Sequence, residues 1–196
     1  MRNVTRIALA LVPVVALGLA WAPRMKADVG NQLTAVTFSQ PVEIPGRVLP
    51  AGTYLFKVFD FNEPNIVEIF NQDQSQILAT LLTVPDYRHK PTGKTVITFN
   101  ERAAGSPEAI QAWFYPGRDY GHEFVYPRTR ARELAKMTNK PVPSMPDNIV
   151  SNATMPAKSS NDSQVTALRK TRVTAMKPSG EEVEANQVFM PPPTAH

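Results

Sequence analysis

The chain has 196 residues, no cysteine and a formal net charge of +4. That length suits one ordinary domain with some chain to spare, and the absence of cysteine excludes disulfides, thiolate-bound metals and a lipid-modified amino-terminal cysteine. The positive charge does not point to nucleic acid. Residues 1–27 hold Arg2, Arg6, Arg24, Lys26 and no acid, and taking these four from the 21 basic residues leaves 17 against 17 acids.

Residues 1–27 read as a secretory signal peptide. Two arginines precede an apolar run over 7–22, which is short for a bilayer span of about 20 residues and is broken by Pro13 and Gly18. Cutting before Asp28 fits best, because Pro23 hinders the Ala20-Trp21-Ala22 site; the alternative is an uncleaved anchor. No second segment is apolar and long enough to span a membrane, so the mature chain is expected to be exported, to the periplasm or the medium.

Residues 28–127 carry short β-branched and aromatic runs separated by turn residues. Strands are expected over 34–38, 42–44, 53–59, 66–70, 77–84, 94–99, 109–115 and 122–126. This pattern predicts an all-β fold, an antiparallel β-sandwich or small barrel of seven to eight strands, followed by one short α-helix and a largely disordered C-terminal tail. Several strands are apolar on both faces, so either helical or loop cover or a partner lies over the outer side. Alternation over 109–115 places Ile110, Ala112 and Phe114 on one face and Trp113 and Tyr115 on the other.

A basic amphipathic helix is expected over residues 128–140. Ala131, Leu134, Ala135 and Thr138 form its apolar stripe, Asn139 can end it and Pro141 stops it. Its five basic residues and one acid oppose a body with 7 basic and 11 acidic residues, so it either docks on the body or offers a basic face to a partner. Residues 141–196, rich in Pro, Ser and Thr, read as a flexible tail, with a weak hairpin around Pro178-Ser179-Gly180. The tail is a spacer or a segment that pairs with a neighbour's sheet edge.

The stretch 109–127 holds Trp113, Phe114, Tyr115, Tyr120, Phe124 and Tyr126, six of the chain's sixteen aromatic residues. Trp113, Tyr115, Arg118, Asp119, Tyr120 and His122 are the candidate ligand-binding residues; the same aromatics can equally form core. Asp119, His122 and Glu123 are the candidate acid–base groups, but no nucleophile or phosphate-loop motif accompanies them. His89, His122 and Glu123 are the only metal-ligand candidates, and a strand sets His122 and Glu123 on opposite faces, so neither a metal nor a cofactor is expected.

The run Pro41-Val42-Glu43-Ile44-Pro45-Gly46-Arg47-Val48-Leu49-Pro50-Ala51-Gly52-Thr53-Tyr54, with AWFYPG at 112–117 and EFVYP at 123–127, resembles a family of short exported bacterial proteins of unknown function. The resemblance covers roughly residues 36–146. It implies a secreted β domain and carries no activity or site residues. The expected function is a non-enzymatic envelope or extracellular binding or structural module. Its partner is a polysaccharide, a peptide or another copy of the chain. A hydrolase or isomerase of envelope polymers and a self-assembling surface or filament subunit are the alternatives.

Overall fold

The computed structural model describes residues 33–60, 63–102, 105–149 and 162–189. The expected signal peptide lies outside them. The described chain is mostly β. Its first sheet takes nine strands: β1 (Leu33–Phe38), β2 (Val42–Ile44), β3 (Arg47–Leu49), β4 (Gly52–Asp60), β5 (Glu63–Asn71), β6 (Ile77–Tyr87), β7 (Val96–Asn100), β8 (Glu108–Phe114) and β9 (Tyr120–Phe124). The order is β1-β4-β5-β6-β9-β8-β2-β3, with β7 on the other edge of β8. The pairing is antiparallel except between β2 and β8, which run parallel. The strand beyond the expected eight is β3. Pro45-Gly46 does not merely interrupt a strand: Gly46 takes φ 85° and turns β2 back onto β3, with Ile44 opposite Arg47.

The sheet curls on itself. Trp113 on β8 donates its indole N–H to the Thr34 hydroxyl on β1 at 3.0 Å. Phe56 on β4 meets Trp113 and Phe124 with ring centroids 5.9 and 6.3 Å apart, and Phe38 on β1 meets Phe99 on β7 at 6.2 Å. Val67, Ile69 and Leu81 fill the same core.

Strict alternation fails in β8. Ile97 pairs with Trp113 and Phe99 with Ile110, so Ile110 shares the inner face with Trp113, not with Ala112 and Phe114. The register shift between Thr98 and Phe99 inserts Gln111 as an extra residue, a β-bulge. It keeps two large apolar residues inside and turns Gln111 toward Glu123 on the outer face.

Helix α1 spans Arg128–Thr138, and Asn139 ends it in the left-handed conformation at φ 54°. Pro127 offers no side-chain cap; the Asp147 carboxylate accepts from the Thr129 N–H at 2.9 Å and hydroxyl at 2.8 Å instead. Ala131, Leu134 and Ala135 are buried against the main core, and Arg130 clamps Glu43 on β2. The helix therefore docks on the body, as one of the two expected roles requires.

Residues 141–196 depart from the expected flexible tail wherever they are described. A second sheet joins β10 (Tyr126–Pro127), β11 (Val142–Met145), β12 (Thr174–Met176) and β13 (Glu182–Glu184), with β10 parallel to β11. A second helix, α2 (Ser163–Lys170), precedes β12 and is capped by Asp162. The hairpin expected around Pro178-Ser179-Gly180 is β12–β13. These residues fold because a partner surface exists. Ile66, Leu82, Val84 and Val125 on the outer face of the first sheet pack against Met145, Val165 and Leu168. Burying each such side chain contributes about 2 kcal/mol, which outweighs the polar composition around them.

Candidate functional site

Cross-strand register carries one face of the sheet from core to solvent. Trp113 lies opposite His122, His122 opposite Pro85, and Tyr120 opposite Tyr87. Along β9, Phe124 and His122 are buried, and Tyr120 is half-buried. Across from it Tyr87 is 55% exposed. The aromatic row thus leaves the core at the end of β6 and the start of β9.

Two loops meet there. The Arg88 N–H donates to the Asp119 carbonyl and the Gly117 N–H to the Thr92 carbonyl, each at 2.7 Å. Gly117 sits at φ 78°, in the turn that lets Arg118 N–H reach the Tyr115 carbonyl at 3.2 Å. The Arg118 guanidinium lies 5.6 Å from the Tyr120 ring, and that of Arg88 4.9 Å from the Phe114 ring. His89, Lys90 and Lys94 are exposed on the same rim. Burial raises the pKa of Asp86 from its ordinary value, against the Tyr87 N–H and the Arg88 charge, which lower it.

Of the six candidate binding residues, Arg118, Asp119 and Tyr120 belong to this rim. Arg118 and Asp119 are exposed. Trp113, Tyr115 and His122 do not form a surface platform. Trp113 has no exposed area, and Tyr115 and His122 retain 4% and 5%. The indole that a sugar ring would stack on is already stacked on His122, with centroids 5.3 Å apart and planes 26° apart. Tyr87 and Arg88 are the site residues the sequence reading missed. The strand was expected to stop at residue 84, before Pro85-Asp86, whereas β6 continues to Tyr87; the signal was the charged Arg88-His89-Lys90 run that follows it.

The acid–base candidates are not brought together. His122 faces the core with Trp113, whereas Glu123 pairs with Val84 on the outer face and Asp119 lies in the loop. Burial pushes the His122 pKa down to about 4, so its ring is neutral near pH 7, with Nδ1 3.4 Å from the Thr83 hydroxyl. Burial, and then the Asp86 charge, push Glu123 up to about 8, partly offset by the Gln111 amide. Among the described residues no three His, Asp or Glu side chains are grouped to hold a metal ion, and no helix is long and apolar enough to cross a membrane. Comparison with protein-family models, with curated proteins and with solved structures finds no match to this chain.

Proposed function

We propose that this chain is an exported, non-enzymatic module of the cell envelope or extracellular space that binds its ligand at the loop rim of the first sheet. The observation that carries this reading is the exposed Tyr87 opposite Tyr120, beside Arg118. An aromatic face with a charged donor at its edge is what a ring-bearing or extended polar ligand needs. The curl of the sheet around one core supports a sandwich-like or barrel-like scaffold that holds this rim rigid. The leader-like residues 1–27 and the family resemblance support export. Adding a glycan and peptide panel to the isotopically labelled chain tests the reading. Amide shifts should cluster at residues 87–94 and 116–120; shifts confined to another face would sink it.

One observation favours a second reading, self-assembly. Strand β1, Leu-Thr-Ala-Val-Thr-Phe, is uncharged, free of proline, and paired on one side only among the described residues. Sheet edges normally carry charges or bulges that prevent pairing with another chain. Light scattering coupled to size exclusion tests it: a monomer at all concentrations removes this reading, and a dimer or polymer abolished by Ala35→Lys sustains it.

A further inference from the structure

We infer that the rim takes an anionic polysaccharide, one bearing carboxylate or sulfate groups. This rests on the rim being the binding surface, as proposed above, and it names the ligand class from the distribution of charge.

Residues 28–127 contain seven Lys and Arg against eleven acids. Four of the seven, Arg88, Lys90, Lys94 and Arg118, fall in the two loops that meet at the rim. The other three are engaged elsewhere. Arg102 pairs with Glu43, Arg47 donates to the Leu78 carbonyl at 2.8 Å, and Lys57 stands opposite Glu68. No ion pair joins any of the rim four to a carboxylate among the described residues. The acids at this end are Asp86, half-buried and in the field of Arg88, and Asp119, exposed. An otherwise acidic body thus gathers four of its seven cations in the two loops beside an exposed tyrosine, with the Arg88 guanidinium laid over the Phe114 ring.

Like charges gathered in two adjoining loops repel one another, so the grouping favours a polyanion that neutralises several at once. The aromatic component selects among polyanions. Arg118 covers a face of Tyr120, leaving Tyr87 as the open ring against which a pyranose face can lie. Lys90 and Lys94 are exposed in the 88–95 loop that follows it, available to acidic groups on the same chain of sugars. A nucleic acid would also satisfy cations and a tyrosine, but with 17 basic and 17 acidic residues after residue 27 the chain has no overall positive charge to hold a long duplex or strand.

The test is titration of the full chain with dextran sulfate, polygalacturonate, unmodified dextran and an oligothymidine, at low and at 0.5 M salt. The variants are Tyr87→Ala and Lys90→Ala/Lys94→Ala, whose side chains are largely exposed, with thermal melts to show that both fold. The expected result is binding to both acidic glycans, at least tenfold weaker to dextran, weakened about tenfold by either variant and more than tenfold by salt. Equal binding of dextran and dextran sulfate overturns the anionic class while leaving the rim as the site. Acidic-glycan binding that survives both variants overturns the rim itself. Tighter binding of oligothymidine, or no binding of any glycan, overturns the polysaccharide.

Discussion

Trp113 and His122 stand directly opposite each other on β8 and β9, their rings stacked 5.3 Å apart inside the core. The pair stays neutral because burial holds the imidazole pKa near 4, and the indole N–H is satisfied by Thr34 at 3.0 Å. Trp113→Ala should therefore cost about 3–5 kcal/mol of stability, the range for emptying a buried aromatic site. Trp113→Phe should cost less, because the ring contacts with Phe56 and His122 are largely kept while Thr34 loses its donor. Urea unfolding of the two variants checks this. A melting point unchanged in Trp113→Ala would return this residue to the surface.

Gly121 lies between β6 and β8 with the Phe114 ring laid over it. A Cβ at this position would come within 2.4 Å of that ring and 2.7 Å of the Trp113 carbonyl oxygen. The carbonyl belongs to a paired strand and cannot move aside cheaply. Gly121→Ala is expected to destabilise by at least the 1–3 kcal/mol of an overpacked core, although Ala is otherwise the milder residue in a strand. An unchanged denaturation midpoint would mean that β8 and β9 can separate locally without cost.

The ion cluster that fastens α1 to β2 makes a third expectation. Arg130 holds Glu43 through two bonds, Nε to Oε1 at 2.6 Å and Nη2 to Oε2 at 2.8 Å, and Arg102 takes Oε2 as well. The Glu43 side chain is only 15% exposed. Glu43→Gln would leave two guanidinium groups facing a neutral amide in a half-dry site. The loss should be about 3 kcal/mol, as for other broken buried pairs. Arg130→Lys should also lose stability, since an ammonium cannot reproduce the bidentate fork. Chemical denaturation of both variants, at low and high salt, reads this directly.

What could be read in the sequence follows from how local the cause is. Helix α1 begins where expected and ends at Thr138, two residues short of 140, with Asn139 as its cap; it was legible because Pro127, the Ala131-Leu134-Ala135 stripe, Asn139 and Pro141 are all neighbours in sequence. The β12–β13 turn is equally local, with Gly180 at φ 86°. The folded part of the carboxy-terminal region was hidden because Met145, Val165 and Leu168 are isolated apolar residues among polar ones. Their burial depends on Ile66, Leu82 and Val125, many residues away. The apolar outer faces of the strands did signal that a cover existed, without saying that the chain supplies it. The bulge at Gln111 defeated the reading of β8, since alternation alone cannot show an extra residue. At the site, aromatic content located the right stretch but not which rings face inward; that is set by cross-strand register, which placed Trp113 inside and Tyr87 at the rim.

Glu123 sets the last expectation, a fall in stability at mildly alkaline pH. Its carboxyl is buried beside Asp86 and its pKa is pushed up to about 8, from 4.5. The folded chain therefore holds a proton that the unfolded chain releases. Its contribution is fully present below pH 4.5 and is lost as pH rises through 8. Glu68, pushed up to about 7 mainly by burial, acts in the same direction. His122 acts oppositely, because its pKa of about 4 lies below the ordinary 6.5. Its effect is to raise stability between pH 4 and 6.5 and to add nothing further above that. Only the carboxyl effects remain between pH 6.5 and 8, so the urea midpoint should fall there, by on the order of 1 kcal/mol for one proton released over that window. Glu123→Gln keeps the shape, can still meet Gln111, and carries no proton to lose. It should flatten most of the decline and be more stable than the unaltered chain at pH 8. A decline of equal slope in Glu123→Gln would show that Glu123 is already ionised in the folded chain, with Lys140 or solvent compensating its charge.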